Sequence, residues 1–356
     1  MTSGSRLRRD FAAVPGGSGR RRVAHFGMLD THPLNSQRQL PRRLGRRATL
    51  LVGALLSMLA AHPCPATSIL FIGNSFTYGQ GSAVRFYRAD TVTDLNGTGI
   101  GGVPALFQAF ATEAGLAYEV SLETQPGVGL DWHLAHRLEA IGAKPWTSVV
   151  LQGYSTLDKD KPGDPEVLIA SSKKMAEFLR ARNPAVELRL MATWPRPDQI
   201  YQRLGAWFHK TLDDMTADIR GGYDKAAAAA GVKAVVPVGQ TWMRAIHGGI
   251  ADPNPYDGID SGKVDLWATD HYHASTYGYY LEALALFGSI TGRDPRTLGD
   301  GECAGFELGF STEEVAALQR VAYEEMAAEG LLPAAPKPPA PSAPARCTSV
   351  GAGARE

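Results

Sequence analysis

A serine early in the chain occupies a position from which a nucleophile can be presented. The stretch SILFIGNSFTYGQG (68–81) is an apolar run followed by Gly-Asn-Ser and a glycine-rich segment. If the run is a β-strand, Ser75 lies just beyond its end, where its hydroxyl is exposed at the sheet edge and its N–H can serve as an oxyanion donor. Gly-Asn-Ser after a strand is more often an ordinary turn, and the Gly-x-Ser-x-Gly nucleophile elbow is absent. Ser75 alone is therefore a weak indication of chemistry.

A second stretch, WATDHYHASTYGYY, supplies the groups that a serine nucleophile needs. Asp270 and His273 are three residues apart, directly before a helical pattern. At this spacing a carboxylate can hold one imidazole nitrogen and leave the other facing outward, as a general base requires. Two other interpretations stay open for these residues: a helix-capping Asp beside a surface His, or a metal pair that includes His271.

The elements around these residues predict how they meet. Five strand-like segments alternate with helical patterns, which predicts a three-layer α/β domain with a mainly parallel five-stranded sheet. Function in such sheets lies at the carboxyl ends of the strands, where the two stretches can come together. Long Gly/Pro/Asp-rich loops at 79–102 and 252–265 interrupt the alternation and are expected to shape the site. The five segments are 68–72, 117–124, 147–153, 186–194 and 232–238.

The two motifs resemble those of a known family. FIGNSFTYG resembles the first block of the GDSL/SGNH hydrolases, in a variant with Gly-Asn-Ser in place of Gly-Asp-Ser, and DHYH resembles their last block, Asp-x-x-His. The resemblance covers about residues 68–295. It implies a flavodoxin-like α/β/α fold and hydrolysis of esters, often acetyl groups on carbohydrates. It also implies a triad with Ser75 as nucleophile, His273 as general base and Asp270 as its partner.

The second and third sequence blocks of the family supply hydrogen-bond donors to the oxyanion hole. In TQPGVGLDWH the resemblance assigns Gly127 as an N–H donor, with Gly129 as the alternative. The third block usually contributes an Asn side chain, but the third strand here ends in VVLQGYSTLD. Gln152 is similar to the Gln of carbohydrate-esterase relatives, and its amide has the required donor. The hole would then consist of Ser75, Gly127 and Gln152; if Gln152 is a structural amide, only the two backbone N–H groups remain.

Three further residues are predicted to contact the substrate: Asn74, Tyr154 and Trp194. A core position is an equally open interpretation for Trp194, which ends the predicted fourth strand. No cofactor is expected, because the triad needs none, and no metal is expected either. The acidic stretch DPNPYDGID lacks the Glu that closes a calcium loop.

Charge is distributed unevenly along the chain. Of its 356 residues, the first 47 carry eleven Arg and two acids, which leaves 25 basic and 34 acidic residues in the remainder. That mildly acidic body argues against a nucleic-acid-binding protein, which needs a basic face.

The Arg-rich start resembles an export signal. PRRLGRR (41–47) is a positive region, and the apolar run 48–61 that follows is too short for a comfortable membrane span. We therefore expect a leader over 1–66, with cleavage near Ala61 or Ala66 and with Met1 or Met28 as the start. The mature protein would be periplasmic or secreted, with no stable membrane span.

The predicted organisation of the rest is a hydrolase domain over 67–330 and a Pro/Ala-rich tail over 331–356, whose composition cannot build a core. After cleavage at Ala66, Cys303 and Cys347 would remain. A disulfide between them is open, since pairing cannot be read from sequence.

The function predicted from these features is that of an exported serine esterase acting on a small-molecule or glycan ester. Two alternatives remain: a glycan O-acyltransferase with the same triad, and a secreted glycan-binding protein that has kept the fold and lost the chemistry. The acyl length, the substrate and the oligomeric state stay open.

Overall fold

Six parallel strands form one sheet in the order β2-β3-β1-β4-β5-β6 in the computed structural model, which describes residues 66–334. Without the edge strand β2, this is the 2-1-3-4-5 strand order of flavodoxin-like folds. The predicted α/β class and parallel sheet are therefore confirmed. The strands are β1 (Thr67–Gly73), β2 (Thr93–Asp94), β3 (Tyr118–Thr124), β4 (Ser148–Leu151), β5 (Glu187–Ala192) and β6 (Ala234–Pro237).

Each of the five predicted strands is present, and the sheet buries most of their residues on both faces. The segment that alternates, 117–124, forms β3, whose polar Glu123 is fully buried. Ile69 to Ile72 in β1 are at most 1% exposed. The sixth strand, β2, was not predicted and lies inside the expected loop 79–102. It has two residues, too few for an alternating pattern, and pairs with β3 through Thr93–Ser121 and Asp94–Leu122. The Asp94 carboxylate caps the following turn by accepting hydrogen bonds from the Asn96 and Thr98 N–H groups.

Helices cover both faces of the sheet. On one side α3, α5 and α7 pack against one another, and α2, α9 and α11 form a second group. The helices are α1 (Ser75–Tyr78), α2 (Gly102–Glu113), α3 (Leu130–His136), α4 (Leu138–Ile141), α5 (Glu166–Arg180), α6 (Pro197–Tyr201), α7 (Leu212–Ala230), α8 (Val238–His247), α9 (Thr276–Thr291), α10 (Cys303–Glu307) and α11 (Thr312–Ala328). Short 3₁₀ turns occur at Ala83–Phe86, Ala89–Thr91 and Pro295–Leu298.

The described residues can be compared with the predicted leader, domain and tail boundaries. The expected leader, apart from Ala66, and most of the expected tail lie outside the described residues. Leu332 is buried against the core, so packing extends slightly past the predicted domain end at 330. Cys303 is disulfide-bonded, while Cys347 lies outside the described residues. Between residues 66 and 334 no helix has the length and apolar character needed to cross a bilayer.

Candidate active site

The Ser75 turn is built around the side chain of Asn74. β1 ends, Asn74 caps the one-turn helix α1, and its Oδ1 accepts the Phe76 N–H at 3.0 Å. Its Nδ2 donates to the carbonyl oxygens of Val128 at 2.9 Å and Gly153 at 3.1 Å, in the loops after β3 and β4. An Asp at this position would set a carboxylate against two carbonyl oxygens. The amide thus accounts for Gly-Asn-Ser in this chain, and it ties together the ends of three adjacent strands.

Gln152, expected in the oxyanion hole, hydrogen-bonds to the same turn. Its Oε1 accepts the Asn74 N–H at 2.8 Å and the Thr77 hydroxyl at 3.1 Å, and its Nε2 donates to the Gly153 carbonyl. The residue is 1% exposed. These bonds orient the amide unambiguously, because an N–H group needs the oxygen and a carbonyl needs the nitrogen. They favour the structural alternative for Gln152 over the role of oxyanion donor.

Replacing Gln152 separates these two roles. We expect Gln152→Met to lower the free energy of unfolding by about 2–4 kcal/mol, because the buried Asn74 N–H and Thr77 hydroxyl lose their shared acceptor. Urea denaturation measures this loss. An oxyanion donor that held nothing else would instead lower kcat by about 10²–10³-fold with unchanged stability. The same change at Gln108, a partly exposed residue on α2, controls for the loss of an amide.

Asp270 holds His273 in the loop that precedes α9. The carboxylate Oδ2 lies 2.6 Å from the His273 Nδ1, and Oδ1 accepts the N–H groups of Tyr272 at 3.0 Å and His273 at 2.9 Å. Burial acts to raise the pKa of Asp270, but these hydrogen bonds outweigh it and hold the pKa below its ordinary value. The carboxylate therefore stays ionised at neutral pH and fixes the tautomer with the proton on Nδ1.

His271 turns the chain between these two residues. It has a φ of +54°, a left-handed conformation that few residues other than glycine adopt, and its ring packs against Tyr256 at 4.1 Å. This bend lets Asp270 reach forward to the N–H groups that follow. No three His, Cys, Asp or Glu side chains within residues 66–334 are arranged to hold a metal ion.

Contacts between α1 and α9 bring the two motifs together. The Tyr279 hydroxyl lies 3.1 Å from the Ser75 carbonyl oxygen and 3.0 Å from that of Gln80. The Phe76 ring lies 5.6 Å from the His273 ring. The His273 Nε2 is buried and hydrogen-bonds to no described residue, Ser75 included. Catalytic hydrogen bonds are often long before substrate binds.

Gly127 lies in the loop after β3, with a φ of +68° that favours glycine. An added Cβ would meet nothing within 4 Å, so the conformation rather than crowding selects glycine here. Gly129 differs, because an added Cβ would lie 2.4 Å from the Tyr154 ring. Gly127 remains the predicted second backbone donor, with Gly129 as the alternative.

Trp194 lies beneath the site and not at its surface. It is fully buried, stacked between Phe76 at 4.2 Å and Trp242 at 4.7 Å, and its Nε1 donates to the Tyr272 carbonyl at 3.3 Å. Such aromatic pairs each contribute about 0.5–1.5 kcal/mol beyond their buried area. The expectation that Trp194 contacts the substrate gives way to the core alternative: it supports α1 and the His273 loop from below.

A cavity of about 220 Å³ opens beside the Ser75 turn. Its wall includes Asn74, which precedes Ser75, and Tyr272, which precedes His273. Gly127, the expected oxyanion donor, and Tyr154 also line it. Burial, together with the nearby Asp131, raises the pKa of Tyr154, so its hydroxyl stays protonated. Tyr154 is thus placed where a substrate could meet it. The Asn74 side chain is buried and its amide is engaged in the Ser75 turn, so the expectation that it contacts the substrate gives way to a structural role.

A buried ionic cluster behind the turn was missed by sequence reasoning. The Nε2 of His133, on α3, lies 3.0 Å from the Gly73 carbonyl oxygen at the end of β1. Glu123 lies 3.6 Å from the His133 Nδ1 and receives two hydrogen bonds from Arg137, each of 2.9 Å. Burial acts to raise the pKa of Glu123, but the His133 and Arg137 contacts lower it overall. No spacing rule links a strand residue to the next helix, so the sequence carried no signal for this cluster.

Comparison with known proteins bears on the fold. No family model and no curated protein matches the sequence. A DUF4886 family protein from Bacteroides uniformis is 19% identical, with a TM-score of 0.51 over 73% of this chain and 95% of that one.

Two further solved structures are similar. A Slackia heliotrinireducens protein assigned to the SGNH hydrolases is 22% identical, with a TM-score of 0.41 over 63% of this chain and 99% of that one. A catalytic mutant of an acetylxylan esterase from Geobacillus stearothermophilus is 16% identical, with a TM-score of 0.41 over 69% and 95%. At these identities the likeness concerns the fold alone.

Proposed function

We propose that this protein is an exported serine esterase of the SGNH type that hydrolyses acyl esters, acetyl esters on carbohydrates in particular. The observation that carries the proposal is the Asp270–His273 pair, whose 2.6 Å contact leaves a buried, unpartnered Nε2 next to the α1 turn that presents Ser75. A carboxylate-oriented imidazole beside a serine at a strand end is the arrangement that nucleophilic catalysis requires. The Arg-rich, then apolar, start of the sequence supports export.

In the proposed mechanism the Ser75 Oγ attacks the ester carbonyl and its proton passes to the His273 Nε2. Asp270 stabilises the imidazolium that forms. The Ser75 and Gly127 N–H groups stabilise the oxyanion, and Gln152 and Asn74 hold the Ser75 turn through their hydrogen bonds. His273 then protonates the leaving alcohol, and water activated by the same histidine releases the acyl group from the serine.

The cavity supports a short acyl group and an oxygen-rich alcohol. At about 220 Å³ it is smaller than the 300–1,000 Å³ of typical ligand pockets, and most of its wall is polar. Such a wall stabilises hydroxyl groups better than a long alkyl chain, whose burial needs apolar surface.

A fluorophosphonate probe tests the proposal directly. We expect the probe to label the folded protein at Ser75, located by peptide mass spectrometry, and we expect p-nitrophenyl acetate to be hydrolysed. Heat-unfolded protein is the control, because activation of the serine depends on tertiary structure. A folded protein that takes up no label would contradict the proposal and favour a glycan-binding protein. Acetylated product, formed when an acetyl donor and a glycan acceptor are supplied together, would instead indicate acyl transfer.

A further inference from the structure

The cavity beside Ser75 carries positive charge that the proposed mechanism does not use. Lys159 and Arg196 both line it, and no acidic residue is among the described residues of its wall. This contrasts with the body of the chain, which holds more acidic than basic residues. Local charge, and not net charge, governs what a small cavity attracts.

Arg196 and Lys159 differ in whether an acidic residue of the chain pairs with them. Arg196 donates from Nε and Nη2 to both carboxylate oxygens of Asp198, donates from Nη1 to Ser155, and stacks on the Tyr272 ring at 3.7 Å. Its charge is therefore neutralised and its position is fixed. Lys159 is exposed and forms no ion pair with any described residue, so it is the cation available to a ligand.

The acids nearest to this loop have other partners. The Asp158 carboxylate accepts the N–H groups of Asp160 and Lys161, at 2.7 and 3.1 Å, which holds it within its own turn. Asp131, which contributes to the raised pKa of Tyr154, interacts with the hydroxyl of that residue. Neither of these two acids is part of the cavity wall.

We infer that the cavity binds the alcohol portion of an ester that carries a single negative charge, a carboxylate such as that of a uronic acid, with Lys159 as the specificity-determining residue. The inference rests on the proposed esterase function and names the substrate class of its site. One unneutralised lysine matches one carboxylate. Ser155, Gln199 and Tyr154 add hydroxyl and amide groups suited to sugar hydroxyls.

A matched pair of substrates tests this inference: a mono-acetylated methyl glucuronide, and the same compound with its carboxylate converted to a carboxamide. We expect the wild-type protein to favour the carboxylate in kcat/KM. Lys159→Gln should lower the ratio of the two kcat/KM values about fivefold, as for a partly exposed ion pair. Lys161→Gln, which removes a cation outside the cavity wall, should leave the ratio unchanged. Raising the salt concentration should lower the wild-type ratio as well.

Hydrolysis of p-nitrophenyl acetate separates failure of this inference from failure of the proposed function. If the wild-type protein hydrolyses that neutral ester but the ratio is the same in all three proteins, the inference is overturned. If no ester is hydrolysed, the proposed function fails and binding decides the inference. In that case, calorimetry should show that methyl glucuronide binds more tightly than methyl glucoside and that Lys159→Gln removes the difference. Equal binding of the two sugars would overturn it.

Discussion

We expect Ser75→Ala to lower kcat on p-nitrophenyl acetate by at least about 10⁴-fold. The size of the effect follows from the chemistry, because without Oγ no acyl-enzyme can form and the pathway through covalent catalysis is lost. Residual activity would come from water attacking a substrate still bound near the oxyanion donors. Steady-state kinetics at saturating substrate measure the loss.

The variant should fold normally, because the hydrogen bonds that hold the α1 turn come from Asn74, Gln152 and Tyr279 and not from the Ser75 hydroxyl. Thermal unfolding monitored by circular dichroism checks this. Ser172→Ala is the matched control: it removes a buried hydroxyl without a hydrogen-bond partner from α5, and it should leave kcat unchanged. Full activity in the Ser75 variant would refute its assignment as nucleophile.

Asp270→Asn should lower kcat by about 10²–10⁴-fold while changing stability little. An amide at this position no longer favours the His273 tautomer with its proton on Nδ1, and it cannot stabilise the imidazolium. The Asn oxygen can still accept the Tyr272 and His273 N–H groups, so the loop should keep its shape. The side chain of Asp270 is 46% exposed, so solvent can compensate part of the lost charge. For this reason the smaller end of the expected fall in kcat is about 10²-fold.

The pH dependence of the wild-type protein adds to this prediction. Since the pKa of Asp270 is lowered in the folded state, its carboxylate contributes stability above the unfolded pKa, and that contribution is lost as pH falls through the folded pKa. The Asp270→Asn variant should therefore lose less stability than the wild-type protein on acidification below about pH 4, as measured by urea denaturation at several pH values.

The control for the effect on kcat is Asp260→Asn, at a 70% exposed surface ion pair, which should retain activity within about twofold. If kcat of the Asp270→Asn variant equals that of the wild-type protein, Asp270 has no role in the mechanism.

The sheet and the two main motifs were predictable from the sequence because they depend on local patterns. Most of the five segments are largely apolar, as burial on both faces favours, and 117–124 alternates like a strand. Separated by helices, such segments indicate a parallel α/β sheet. In that topology the strand ends share one edge, which places Ser75 near the loops after β3 and β4. Asp270 and His273 were recognisable because only three residues separate them, a distance that one turn can span.

Contacts between segments far apart in sequence were decided by the tertiary structure alone. Gln152 has the donor an oxyanion hole needs, and only the three-dimensional structure shows that its amide bonds to Asn74 and Gly153. Trp194 lies just past the end of β5, as a site residue might, yet it is buried because Phe76 and Trp242 lie on either side of it. Residue type and spacing thus determined the fold class and the expected nucleophile and base. Which polar groups remain free to meet a substrate depended on long-range packing, because a side chain's hydrogen-bond capacity is used by whichever partners the fold brings within about 3 Å.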